Sequence, residues 1–142
     1  MGRNRRKEKA FTLVEVLVVI VLLALIASVY VPRMFKGMGA QKKKMARTKM
    51  ATIESAIITF QLDCGRFPDD SLGLEELIAS PADLEEKWKG PYLKQSELFD
   101  TWENPYIYVE VGDINPGSFD LISYGADGLE GGEGDDADIY ND

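Results

Sequence analysis

The chain has 142 residues, with 16 Lys and Arg against 24 Asp and Glu, a formal net charge of -8, a single cysteine and no histidine. That length is one domain's worth with a small core, and the missing histidine together with the lone Cys64 leaves no Cys/His pair for nucleophilic catalysis and no intrachain disulfide. No glycine-rich turn between strand and helix carries a lysine for phosphate, so an enzyme is not expected.

The first nine residues, MGRNRRKEK, set Arg3, Arg5, Arg6, Lys7 and Lys9 against Glu8. An apolar run follows from Phe11 to Val31, whose polar members are Thr12, Glu15, Ser28 and Tyr30. As a helix rising about 1.5 Å per residue it is long enough to cross about 30 Å of hydrocarbon. The basic start keeps the N-terminus in the cytoplasm and sends the remainder outward. A cleavable secretory signal is the rival reading, but its apolar part usually covers about 7 to 15 residues and ends in a small-x-small site. Here the run is longer and ends at Pro32 in a basic segment, so a retained single span is expected.

Charge then falls into blocks. Arg33, Lys36, Lys42, Lys43, Lys44, Arg47 and Lys49 lie in a stretch without acids, whereas beyond Lys94 there is no Lys or Arg, and thirteen acids lie between Glu97 and Asp142. The basic block suits nucleic acid or anionic lipid, a solvated face near the membrane, or the acidic head of another copy of the chain. Self-association is the expectation, with nucleic acid not the expected partner.

From Gly39 to Asp63 the pattern is helical: Met50, Ile53, Ile57 and Phe60 fall on one stripe, and Cys64-Gly65 ends it. The span and this amphipathic stretch read as one long helix, interrupted near Pro32 and softened at Gly37 and Gly39. Next, Ser71 is expected to cap a short helix with Leu74, Leu77 and Ile78 inward, stopped by Pro81. KWKGPYL is a turn-rich connector. Strands are expected at Tyr106 to Val111 and Ser118 to Tyr124, joined through GDINPG, with a further short strand near Leu98. The class is α+β, a long N-terminal helix packed on a small antiparallel sheet.

Asp127 to Asp138 holds six acids and four glycines and no cation. A disordered acidic tail is one reading. Calcium is the preferred one, since that ion takes six to eight oxygens in irregular geometry. The stretch is no EF-hand, with Leu129 and Gly131 where acids or amides are needed, and GGEGDDADI only approaches a calcium nonapeptide, in one copy. A local calcium loop would staple a small external domain that has no disulfide.

KAFTLVEVLVVIVLLALIA resembles the class III signal and helix of type IV pilins and pseudopilins. The resemblance implies that prepilin peptidase cuts after Ala10 and methylates the new amino group of Phe11, leaving Glu15 at the fifth mature position. Ala10 stands where that family nearly always has Gly. Loss of residues 1–10 removes five cations and one anion, leaving 11 against 23, a net charge of -12. Glu15 then lies about 6 Å along the axis from Phe11, where the Phe11 amine of an axially shifted neighbour meets it. The opposing possibility is a carboxylate favoured by the positive end of its own helix.

LDCGRFPDDSLGLEELI, KWKGPYL, DTWENPYIY, FDLISYGADG and EGGEGDDADI resemble the major, G-type pseudopilins of type II secretion. That resemblance implies an inner-membrane protein with a periplasmic domain from residue 65, polymerising into a homopolymeric filament. Its implied partners are an assembly platform, minor pseudopilins and, indirectly, the secretin. The implied calcium ligands are the side chains of Asp127, Asp136 and Asp138 and the main-chain oxygens of Tyr124 and Gly134, with Asp135 the alternative to Asp136. DTWE replaces the family's DPWG, DIYND replaces an ending with Trp, and neither change is expected to touch the ligands. The alternatives are a type IV pilus subunit or minor pilin, and a single-span calcium-dependent binding protein that never polymerises.

Overall fold

The computed structural model describes residues 12–141, without the side chains of residues 29 and 31–37. The chain divides into two compact units, Met1–Met38 and Gly39–Asp142. Helix α1 runs Leu13–Cys64, 52 residues. The interruption expected near Pro32 is absent from the backbone, because a proline removes one intrahelical bond without obliging the remaining residues of so long an element to leave it.

In the first unit every described side chain from Leu13 to Ser28 is exposed. Ser28 donates from its hydroxyl to the Leu25 carbonyl at 2.7 Å, so this polar member of the run is satisfied within the helix. Among the described residues no helix is long and apolar enough to cross a membrane; the expected span begins at Phe11, outside them.

In the second unit the expected stripe is the core. Met50, Ile53, Ile57 and Phe60 are at most 2% exposed, and Ala46, Ala56 and Cys64 extend the same face. Helix α1 ends where Gly65 takes φ 84° and its N–H bonds the Gln61 carbonyl at 2.8 Å, a conformation that glycine adopts without a Cβ penalty. Opposite the stripe lie Leu74, Leu77, Leu84, Leu93, Leu98, Tyr106, Phe119, Leu121 and Ile139. Tyr106 donates its hydroxyl to the Ala46 carbonyl at 2.9 Å, a buried bond between the residue before the first strand and the helix. Burial first, and Asp100 second, push that phenol well above its usual range.

The short helix around Leu74 is a 3₁₀ turn, Gly73–Leu77, with Leu72 rather than Ser71 at its N-cap. Ser71 instead gives its N–H to Asp69 Oδ1 at 2.8 Å, an Asx turn that starts the segment one step earlier. Glu76 is 2% exposed on this turn. It is neutralised by a two-pronged contact with Arg66, at 2.8 and 3.2 Å.

Three antiparallel strands, β1 (Ile107–Val109), β2 (Asp120–Ser123) and β3 (Ile139–Tyr140), form one sheet in the order β1-β2-β3. Ile107 pairs with Ile122, and Ser123 with Ile139. β1 and β2 are shorter than expected. The strand expected near Leu98 is a 3₁₀ turn, Gln95–Leu98, followed by a lone bridge between Phe99 and Pro105. The third strand is supplied instead by the end of the acidic segment, so that loop is closed on itself by the sheet.

Candidate functional site

Two regions carry candidate function: the start of α1 and the loop from Tyr124 to Asp138. Ala10 and Phe11 lie outside the described residues. At the start of α1, Glu15 Oε2 accepts from the Thr12 N–H at 3.0 Å and from its hydroxyl at 3.2 Å, and Thr12 Oγ1 accepts from the Glu15 N–H at 3.2 Å. This is a reciprocal capping box, in which a Glu three residues after a Thr satisfies helix-end donors. In the single chain Glu15 therefore serves its own helix terminus. The signal was legible, because T-x-x-E directly before an apolar run is the capping-box pattern.

The loop is shaped by neighbours that hold its two ends. Asp100, 2% exposed, accepts from the Trp102 and Asn104 N–H groups at 2.8 and 3.0 Å and from the Ser123 hydroxyl at 2.6 Å. Asn104 Nδ2 in turn donates to the Gly125 carbonyl at 2.8 Å, fixing the chain just after Tyr124. Gly125 has φ 66°, and a Cβ there would lie 2.7 Å from the Asp136 carbonyl, so only glycine lets the two sides of the loop close. The Ala126 N–H completes that closure on the Asp135 carbonyl at 3.0 Å.

The expected ligands are placed as follows. Asp127 Oδ1 accepts from the Leu129 N–H at 3.1 Å. Gly134 lends its carbonyl to the Lys43 ammonium. The Asp135 carboxylate sits over buried Gly39, where a Cβ would be 2.0 Å from its Oδ1. The Asp136 carbonyl faces Gly125 and Gly132. Asp138 Oδ2 accepts from the Gly131 N–H at 3.0 Å and from the Tyr140 hydroxyl at 2.9 Å, while its Oδ1 is buried with no hydrogen-bond partner. Among the described residues no three acids converge into a metal-holding group. The loop thus brings the expected oxygens into one segment without gathering their carboxylates.

Both sequence departures bear on this region. Tyr140, from DIYND, touches Asp138, contrary to expectation. Glu103, from DTWE, has φ 69°, the left-handed region that its glycine-bearing counterpart would occupy without strain.

The basic block, expected to face another copy, is partly used within the chain. Lys43 and Lys49 are half-buried, and Lys49 donates to the Phe99 and Asp100 carbonyls at 3.0 and 3.2 Å. Lys42, Lys44 and Arg47 are exposed. Asp120, a residue sequence reasoning passed over, anchors the GDINPG turn. It is 3% exposed and accepts from the Asp113, Ile114 and Asn115 N–H groups at 2.8 to 2.9 Å. Burial alone would raise its carboxyl, yet those amides hold it below the ordinary 3.8.

Comparison with known proteins covers both regions. The family described as type II secretion system (T2SS), protein G matches residues 33–142, and the prokaryotic N-terminal methylation motif matches residues 5–31. The chain is 39% identical over 141 residues to the type II secretion system core protein G of Pseudomonas aeruginosa, covering 97% of each chain. It is 38% identical to that of Vibrio cholerae, covering 98% of this chain and 94% of the relative. The fold is similar to that of the crystallised major pseudopilin from the type 2 secretion system of enterohaemorrhagic Escherichia coli, with a TM-score of 0.61 at 23% identity over 78% of this chain and 94% of that one.

Proposed function

Because the chain belongs to the type II secretion system protein G family, it is a pseudopilin, a membrane-anchored structural subunit of the periplasmic pseudopilus, and we propose that its copies assemble through the first part of α1. The observation that carries this is the run of exposed apolar side chains there: Leu13 is 83% exposed, Leu17 57%, Ile20 60% and Leu25 60%. Among the described residues nothing covers them. Leaving that much apolar surface in water is unfavourable at about 25 cal/mol per Å², so the segment belongs in lipid before assembly and against other copies after it.

Processing by prepilin peptidase after Ala10 would create the Phe11 amine beside this helix start. Glu15 then trades its Thr12 donors, which carry no charge, for the ammonium of the next subunit, so that a one-sided charge-assisted contact becomes an ion pair. The basic leader and the Phe11–Val31 run set the topology, with the N-terminus cytoplasmic and the domain outside. The filament would act on folded proteins bound for the secretin through an assembly platform and minor pseudopilins. A mass spectrum of the membrane-extracted protein tests the processing. A chain beginning at methylated Phe11 supports it, and a chain still beginning at Met1 opposes it.

Calcium in the C-terminal loop is the second part of the reading. Its support is an all-oxygen donor set suited to a hard cation and the buried Asp138 Oδ1 without a partner. Asp127, Asp136 and Asp138, with the Tyr124 and Gly134 carbonyls, would hold the ion, Asp135 being turned toward Gly39. Bound there, calcium would supply cross-linking between loop segments and neutralise their repulsion. Thermal melting should rise with calcium and not with magnesium, and Asp127→Ala should abolish the rise.

A further inference from the structure

Helix α1 presents two consecutive turns to the tip of the acidic loop, and each turn makes a different kind of contact. At Gly39 the helix has no side chain, and the Asp135 carboxylate occupies the space a Cβ would need, 2.0 Å from Oδ1 and 2.2 Å from Oδ2. Four residues on, on the same face, Lys43 places its ammonium on the Gly134 carbonyl. Gly134 and Asp135 open a 3₁₀ turn, Gly134–Asp136, that has no side-chain cap of its own. Lys43 is half-buried, whereas Lys42 and Lys44 on either side are exposed. The loop segment from Asp127 to Asp138 contains six acids and no cation. Lys43 is thus a positive charge brought to it from a distant part of the sequence.

We propose that Lys43 and Gly39 form a latch in which the lysine ammonium is the loop's resident cation, and that a divalent cation entering the loop displaces it. The proposal rests on the calcium reading above and goes beyond it by naming what the metal competes with. The physical grounds are three. The carbonyl held by Lys43 is one of the oxygens assigned to the metal. An ammonium and a divalent ion on neighbouring oxygens repel each other. In the latched arrangement no three acids converge, and Asp135, which lies against the helix, is the chain neighbour of the assigned ligand Asp136, so drawing Asp136 in around a metal pulls on the tip that Gly39 and Lys43 hold. Helix α1 would therefore sense occupation of the loop at the turns that open the second unit.

The test is a calcium titration of the full-length chain in detergent micelles, by calorimetry, for the native protein, Lys43→Met and Lys43→Arg. Amide hydrogen exchange over residues 125–137 is followed without and with calcium. Removing one neighbouring positive charge should tighten calcium binding by roughly three- to tenfold at low salt, with the gain shrinking as salt is added. Lys43→Arg should stay near the native affinity. Without calcium, Lys43→Met should speed exchange at the loop tip, and with saturating calcium the two proteins should exchange alike. Binding unchanged or weakened in Lys43→Met, or exchange unaltered in its metal-free form, overturns the latch while leaving the calcium reading intact. A native chain that takes up no calcium overturns both the calcium reading and the displacement, and that result is recognisable before any variant is compared. Gly39→Ala is the independent arm. It pushes the Asp135 carboxylate off the helix from the other side of the latch, and should likewise tighten calcium binding.

Discussion

One helix supplies two stretches with opposite fates. Beyond Gly39 its apolar positions recur at spacings that put Met50, Ile53, Ile57 and Phe60 on a single stripe, and all are buried within the chain. Before Met38 the apolar residues occupy every side of the helix, and all those described are exposed. A stripe can be covered by one small domain, but a helix that is apolar all round can be covered only by lipid or by other helices. The periodicity of the pattern thus separates the part of the chain that stabilises the monomer from the part that waits for neighbours.

The sharpest way to break this contrast is to truncate one residue from each stretch. Phe60→Ala, at a fully buried site, should cost about 3 to 5 kcal/mol and strongly lower the melting temperature of the domain. Leu17→Ala should leave that temperature unchanged within about 0.5 kcal/mol while reducing filament yield. If Leu17→Ala destabilised the domain comparably, the first stretch would not be free of it.

Smaller effects sharpen the account of the domain. Asp120→Ala removes the buried carboxylate that holds three amides of a largely exposed turn and should cost about 1 to 3 kcal/mol by chemical denaturation. The same carboxylate has a pH signature. Its native value lies below the unfolded one, so its contribution is present above the ordinary 3.8 and fades as pH falls through the lower native value. Melting followed from pH 6 downward should show this acid loss diminished in Asp120→Asn. The smallest expected change is a gain: Glu103→Gly removes a left-handed strain of about 1 kcal/mol, partly offset by unfolded-state entropy, and should raise the melting temperature slightly.

The legible parts of the chain were those whose signal is local. The core stripe, the Cys64-Gly65 stop and strands β1 and β2 follow from spacing and turn chemistry within a few residues. The third strand was hidden because Ile139 and Tyr140 sit among acids and show no alternation to read, and pairing with β2 makes them a strand. Ser71 was misplaced because the turn starts two residues earlier at Asp69, whose side chain accepts the Ser71 N–H and whose carbonyl accepts the Gly73 N–H. Lys43 and Lys49 read as part of a surface charge block because their carbonyl partners lie 91 and 50 residues away. Such partners have no sequence pattern. Glu15 is the reverse case, a residue whose assembly role was anticipated from resemblance while its local capping partner stood three residues upstream in plain view.

The account depends on copies of the chain meeting along the first stretch of α1, shifted axially by about one helical turn. A chain carrying Val21→Cys and Leu25→Cys tests that directly, because cysteines four apart on one helix are too distant to bridge each other, and the native Cys64 is buried. Mild oxidation of membranes bearing this variant should yield a ladder of disulfide-linked multimers, lost when Glu15→Leu is added. Monomers alone, with the protein abundant and processed, would contradict assembly through this helix.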